Sequence, residues 1–388
     1  MANNAALGIG EGLDGREAGL DAVQKALNAL GTQRPAAGVV LFSQEFDGSE
    51  LVHGISGVLG NIPLWGFGSP RILHGNQDHP RQAAVLLLGG AEMRARGIWL
   101  ANYGKDGKTA AAQIGMQMAG SSSAGVLIAA DGVQGDCAAV CGALTELPMA
   151  LAGGLAVPTN GELCELIGSG QTAGGALSAL ELGGRARLGV GIGSGWRDVG
   201  LSFAVERVEG LRVTRMDGRT PAEVYESVFG ASLQDWRRPP LADLIRLYPL
   251  GIEEFPGSAD LSIRTPVRME ADGSLRMNAP VEAGVMARLM VGDPEACVRA
   301  AQSAAEEALT MLGGASPAAA LVFADVSWQY LFESQSPRFL EAVQGVVGKQ
   351  IPLAGAYTLG QVVRTLSEKP PQALNQQIQV VLIGMEAA

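Results

Sequence analysis

Apolar and polar positions follow two periods along this chain, and each change of period marks an element. From Ala22 to Leu30 the sequence AVQKALNAL repeats Ala, Val and Leu at three- and four-residue spacing, the stripe of an amphipathic helix. Gly31 stops that helix. After Pro35 the short apolar run Val39 to Phe42 (VVLF) reads as a buried strand. The same order returns from Ala304 to Val322 (AAEEALTMLGGASPAAALV), with Leu321 to Phe323 as its strand. Nine positions of the two segments coincide without a gap. Among them are the helix-ending Gly31 and Gly313 and the strand-opening Pro35 and Pro317, whose backbone constraints are strongest.

The correspondence continues downstream. GVLGNIPLWGFG from Gly57 and GVVGKQIPLAGAY from Gly345 each end a helix, open a second strand at proline and follow it with glycine. A fainter third copy holds AGVLIAADG from Ala124, a helix through Cys137 to Leu144, and LPMALAGGLA from Leu147. Helix and strand in alternation predict an α/β fold of layered, largely parallel sheets built from internally repeated helix–strand units. Each second strand ends in glycines: Gly66 and Gly68, Gly153 and Gly154, Gly355 and Gly360. Ligands of open parallel sheets sit beyond the carboxyl ends of the strands, which makes these loops candidate binding edges.

Between Val199 and Met290 the pattern turns to alternation around turn residues. SFAVERVEGLRVTRMDG and RTPVRMEADGSLRMNAP read as hairpins, the second turning at Asp272-Gly273. Pro221 to Phe229 reads as a helix capped by Thr220. A β-hairpin-rich segment is therefore expected in the C-terminal half.

The stretch Leu188 to Gly200, LGVGIGSGWRDVG, sets glycine at every second position from Gly189 to Gly195. In a strand that leaves one face as bare backbone, open to a ligand or to a closely packed neighbouring element. Both readings stand at this point. Trp196 and Arg197 close the stretch with an apolar body and a charged donor fork. The stretch fits no dinucleotide fingerprint, because Trp196 takes the third glycine's place and more strand follows.

Composition narrows the function. Apolar residues are 47% of the 388 and charged residues 17%, enough for two or three compact cores. The net charge of -11 argues against nucleic acid or an anionic membrane as partner. No apolar run of spanning length and no leader pattern is seen, so membrane insertion is not expected and a cytoplasmic protein is. Cys137, Cys141, Cys164 and Cys297 are too sparse for a disulfide framework and read as small buried hydrophobes. His53, His74 and His79 are the only histidines. Hydrolase elbow, phosphate loop and zinc motifs are absent, so no catalytic or metal residues are assigned.

In order along the chain, GVVLFSQEFDG, LPMALAGGLA, LGVGIGSGWRDVG, VTRMDGRTPAEVYESVFG, TPVRMEADGSLRM, GDPEACVRAAQSAAEEAL and IPLAGAYTLGQV resemble the FIST family. That family pairs an N-terminal with a C-terminal FIST domain. The resemblance spans about Pro35 to Leu366. It divides the chain into an N-terminal helix region (1–34), a FIST N-terminal-like domain (35–197), a FIST C-terminal-like domain (198–366) and a tail with a final strand (367–388). It implies an intracellular sensory protein that binds a small ligand, an amino acid or small carboxylate, and signals through a separate output protein. Some relatives bind haem and respond to nitric oxide; here Ser194 stands where many relatives have histidine, leaving His53, His74 and His79 as the histidine ligands available. No cofactor is predicted. Combined with the glycine-rich strand ends, the resemblance nominates Ser194, Trp196, Arg197, Gly153, Gly154, Tyr357 and Thr358 for ligand binding. Arg197 would pair with a carboxylate and Trp196 would cover an apolar portion. The alternative is an enzyme with its active site in the cleft between the two halves.

Overall fold

The computed structural model describes residues 4–90, 92–158, 164–253, 261–333, 337–365 and 370–386. One order of elements occurs three times along it. The first set is β1 (Ala5–Gly10), α1 (Gly15–Leu30), β2 (Pro35–Ser43), α2 (Gly48–Leu59), β3 (Leu64–Ser69), the hairpin β4 (Ile72–His74) and β5 (Gln77–His79), and β6 (Ala83–Gly89). The second is β7 (Met93–Leu100), α3 (Gly107–Met118), β8 (Gly125–Asp131), α4 (Cys137–Ala143), β9 (Ala150–Ala156), the hairpin β10 (Leu166–Gly168) and β11 (Gln171–Ala173), and β12 (Leu177–Gly184). The third opens with β13 (Ala186–Ser194).

An insertion follows: β14 (Trp196–Glu209), β15 (Arg212–Met216), α5 (Pro221–Phe229), α6 (Leu233–Trp236), α7 (Leu241–Leu244), β16 (Leu250–Glu253), β17 (Leu261–Arg264), β18 (Pro266–Met269), β19 (Leu275–Met277) and β20 (Met286–Gly292). The third set then resumes with α8 (Pro294–Met311), β21 (Ser316–Asp325), α9 (Val326–Leu331), α10 (Arg338–Val347), β22 (Leu353–Thr358), the hairpin β23 (Gly360–Val363) and β24 (Gln372–Leu374), and β25 (Gln377–Met385).

Among the described residues the three sets build three six-stranded sheets with one pairing scheme: β1-β6-β2-β3-β10-β11, β7-β12-β8-β9-β23-β24 and β13-β25-β21-β22-β4-β5. The expectation of largely parallel sheets is corrected here. Only β2–β3, β8–β9 and β21–β22 run parallel, each pair joined across a helix; the other pairs are antiparallel. The reason is that the last strand of each set inserts between its first two, and both outer pairs are returns. Val39 to Phe42 and Leu321 to Phe323 do form buried strands, parallel to β3 and β22 and antiparallel to β6 and β25.

Each hairpin completes the sheet of another set: β4 pairs with β22, β10 with β3 and β23 with β9. The inner faces of the three sheets share one apolar core, in which Trp65, Phe67 and Phe323 meet with ring centroids 5.7 to 6.1 Å apart. Each fully buried ring stabilises the fold by roughly 1.5–3 kcal/mol. The outer faces carry helix pairs: α1 and α2, α3 and α4, α8 and α10. Strands buried on both faces explain the uninterrupted apolar runs.

The insertion forms a fourth, antiparallel sheet, β17-β16-β20-β14-β15-β19-β18, with its own core around Tyr225 and Trp236. It contains the expected hairpins, and α5 starts at a capping box in which Thr220 and Glu223 bond each other's backbone.

Candidate functional site

The glycine row of β13 faces a helix. A Cβ on Gly189, Gly191, Gly193 or Gly195 would collide with the carbonyl of Ala308, Ala304 or Ala300, or with the Cys297 thiol, all on α8. Two strand residues advance about 6.7 Å and four helix residues about 6 Å, so the two periods stay in step over this length. Gly8 and Gly10 on β1 meet Ala22 and Ala18 of α1 in the same way. Of the two readings of the glycine row, close packing against a neighbour is the one the geometry realises.

Ser194, Trp196 and Arg197 gather where β13 passes into β14. The Ser194 Oγ donates to the Gln376 carbonyl (3.2 Å), and the Trp196 N–H donates back to that hydroxyl (3.3 Å). The Trp196 ring is buried 6.2 Å from Trp328, and its Nε1 donates to the Leu247 carbonyl. Arg197 points outward, 66% exposed, and pairs with Asp293 at 3.5 Å. Such a surface pair contributes about 0–1 kcal/mol. These residues join the third sheet to the inserted module.

Gly153, Gly154, Tyr357 and Thr358 lie inside the protein, on β9 and β22. Gly153 has φ +141°, and its N–H donates to the Gln379 side chain at 2.7 Å. Its absent Cβ would strike the carbonyl of its partner Ile128, as those of Gly66 and Gly355 would strike Val40 and Val322. A Cβ on Gly154 would strike the Thr358 methyl. Thr358 hydrogen-bonds Gln361 (2.9 Å), and the Tyr357 hydroxyl donates to Asp78 (3.3 Å). The glycines that end the second strands therefore admit protein atoms at these positions.

An open polar groove lies elsewhere, on the outer face of the second sheet. Counting from the pairs Val40–Gly66, Ile128–Gly153 and Val322–Gly355 brings the three sheets into a common register. In that register the edge-strand pair Arg96–Glu181 of the second sheet corresponds to Ala6–Leu87 of the first and Gly189–Leu382 of the third. Leu87 and Leu382 are fully buried in the helix-covered layers. On β7 the bulky Arg96, Ile98 and Leu100 stand where β1 has Ala6, Gly8 and Gly10 and β13 has Gly189, Gly191 and Gly193. α3 accordingly touches β7 at few points. The space left is a groove of about 410 Å³ lined by Arg94, Arg96, Gln117, Ser121 to Ser123 and Glu181.

Its polar groups are held in place. Glu181 is only 4% exposed, yet it takes hydrogen bonds from the Arg96 Nε and the Ser123 Oγ (3.2 Å). A second Arg96 nitrogen donates to the Gln117 carbonyl at the end of α3 (2.8 Å). Ser121 and Ser123 share a hydrogen bond of 2.6 Å. Arg94 is exposed and has no partner among the described residues. The groove thus offers an open guanidinium fork, serine hydroxyls and a fixed carboxylate acceptor. Sequence reasoning missed it. The available signal was Arg96 in the edge strand, where the other two sets have Ala6 and Gly189; Arg94 has a counterpart in Arg187 of the third set.

His74 and His79 stack 4.1 Å apart on the β4–β5 hairpin, where burial first, then His74, lowers the His79 pKa. His53 is exposed on α2. Among the described residues no group of three or more His, Cys, Asp or Glu is placed to hold a metal.

A model of the FIST N domain matches residues 36–219, and a model of the FIST C domain matches residues 221–364. No curated protein matches the chain. Among solved structures, a cyanuric acid hydrolase from A. caulinodans aligns over 99% of both chains at 10% identity and a TM-score of 0.39. T. maritima PurL complexed with ADP aligns over 98% of this chain and 71% of its own at 10% identity and a TM-score of 0.23. Likenesses at these scores say nothing about the site.

Proposed function

Since this chain belongs to the FIST family, whose domains are associated with sensory signal transduction, we propose that it is a small-ligand sensor whose ligand occupies the β7 groove. The observation that supports this reading is the Arg96–Glu181 pair in a place where the other two sheets have a helix-covered apolar pair. Glu181 is nearly buried while its partner Arg96 is half exposed; desolvating that carboxylate is costly and the pair is a poor stabiliser, so its presence fits a binding role. The ligand is an amino acid or small carboxylate. Its carboxylate takes the open fork of Arg94, and its donor group takes the free lone pairs of Glu181. Binding needs no chemistry on the ligand, and the signal passes to a separate partner in the cytoplasm. No helix among the described residues is long and apolar enough to cross a membrane. In this reading the three six-stranded sheets are repeats of one helix–strand unit, and the second has exchanged helix cover for a binding groove.

A thermal-shift screen with amino acids, small acids and nucleotides tests the proposal, because a ligand that binds only the folded chain raises its melting temperature. The expected result is a carboxylate whose shift is lost in Arg94→Ala and kept in Arg197→Ala. A shift lost in Arg197→Ala and kept in Arg94→Ala would move the site to the β13–β14 junction. Turnover of a bound compound would favour the enzyme alternative.

A further inference from the structure

Two neighbouring rows of residues cross three strands of the inserted sheet. On β15, β19 and β18 the row Val213, Leu275 and Met269 is buried in the module's own core. The next row, one residue along each strand, is Arg212, Arg276 and Arg268. Successive strand residues point to opposite faces, so the arginine row lies on the solvent side. A second like-charged pair, Arg207 of β14 opposite Arg215 of β15, is exposed on the adjoining strands. Like charges directly opposite one another across a strand pair destabilise a sheet.

Neighbouring carboxylates compensate the ends of the row and leave its middle open. Arg212 donates through its two terminal nitrogens to Asp272 (3.1 Å) and Glu209 (2.9 Å). Arg268 uses only its Nε, on Glu270 (2.9 Å), so its terminal nitrogens have no partner among the described residues. Arg276, half-buried between the two, has no partner among the described residues either. Arg207 and Arg215 pair with Glu209 and Glu206, each at 3.1 Å. In a chain of net charge -11, the row thus keeps two guanidinium forks open side by side.

We propose that this face docks an acidic segment of a partner protein, whose carboxylates engage the open forks of Arg276 and Arg268. A guanidinium matches a carboxylate bidentately, and clusters of arginine are a recurring way of reading acidic segments. A carboxylate over Arg276 also offsets the repulsion from Arg212 and Arg268. One exposed ion pair contributes little, so the occupant is a segment that presents several carboxylates at once, and a free small acid is held too weakly. A long polyanion such as nucleic acid would run past the row onto an acidic chain and be repelled. The face belongs to a different sheet from the β7 groove and does not depend on what that groove binds.

The test follows fluorescein-labelled decaglutamate by anisotropy against the full chain. It compares about 0.01 M ionic strength, where charges act over roughly 30 Å, with about 0.15 M, where they act over roughly 8 Å. Binding is expected at low salt and should weaken at the higher salt. Arg276→Gln with Arg268→Gln should weaken it by about tenfold, the loss of two pairs at the upper end of exposed ion-pair strength. Arg237→Gln with Arg238→Gln, exposed arginines beyond α6, should leave it unchanged. No binding at low salt, equal weakening by the Arg237 and Arg238 changes, or tighter binding of a thymidylate decanucleotide overturns the proposal. Arg276→Gln alone reads the row without any ligand. It removes the charge while keeping most of the stem, so the urea midpoint should hold or rise; a lowered midpoint would show that the sheet needs this cation for itself.

Discussion

Gly191 on β13 lies directly against the carbonyl of Ala304 on α8, so closely that a Cβ on the glycine would overlap the oxygen. The same relationship links Gly8 to Ala22 and Gly10 to Ala18 between β1 and α1. Backbone-to-backbone packing of an edge strand on a helix is what the small residues of both segments serve.

Adding one methyl group at this contact should therefore be costly. Gly191→Ala is expected to destabilise by about 1–3 kcal/mol, the usual range for overpacking, because a backbone carbonyl cannot turn aside. Gly345 lies inside α10 with nothing within 4 Å of an added Cβ. Gly345→Ala should stabilise by about 0.5–1 kcal/mol through helix propensity. Urea unfolding of the two variants measures both, and equal effects would contradict the packing account.

The Arg96–Glu181 pair should couple strongly. Removing Arg96 alone leaves the nearly buried Glu181 carboxylate without its half-exposed charge partner, so Arg96→Ala should lose about 1–3 kcal/mol. The double change Arg96→Ala with Glu181→Leu installs the Ala6–Leu87 pair of the first sheet. It should recover most of that loss while abolishing ligand shifts. A double-mutant cycle on unfolding free energies reads the coupling, and additive losses would reject it.

Division of the chain should leave neither half folded. Residues 1–197 lack β23 and β24, which complete the second sheet, while 198–388 lack β13, β4 and β5 of the third. Separately expressed halves should show little amide protection, and co-expressed halves should associate. A cooperative unfolding transition in either half alone would be the contrary result.

Acid should weaken the fold through its capping carboxylates. Hydrogen bonds from Thr109, Thr220, Ser232 and Ser274 hold Asp106, Glu223, Asp235 and Asp272 below the ordinary carboxylate range. A carboxylate lowered on folding contributes stability above its unfolded pKa and loses it as pH falls through the folded value. Asp325 has the opposite sign, since burial pushes it up; its contribution is present at low pH and lost as pH rises through the raised value. Stability should fall from pH 5 toward about pH 2. The difference between Asp325→Asn and the parent should shift in the variant's favour as pH rises above about 4, the unfolded carboxylate value. A pH-independent difference would show that Asp325 does not titrate in this way.

Much of the fold was legible in local pattern. Helix stripes, the stops at Gly31 and Gly313, the prolines opening β2 and β21, and the hairpin at Asp272-Gly273 are decided by residues near one another in the chain. Strand direction was not legible. β6 and β25 insert between strands read as neighbours, and such a choice depends on distant apolar faces finding each other. The order in which the hairpins are exchanged among the three sheets has no local signal either.

The candidate site divides in the same way. The sequence by itself determined that Gly189 to Gly195 would present bare backbone on one face of a strand, because side-chain alternation is a local property. Only the tertiary structure decided that a helix fills that face, that Gly153, Gly154, Tyr357 and Thr358 meet protein atoms, and that Arg197 reaches solvent. Arg94 and Glu181 are unremarkable in sequence, and Arg96 stands out only when the three sets are placed in register. Their meaning comes from register: Glu181 occupies the place of a buried leucine beside an edge strand too bulky for its helix. Which residues share a face across three sheets is set by long-range pairing, and so is the groove.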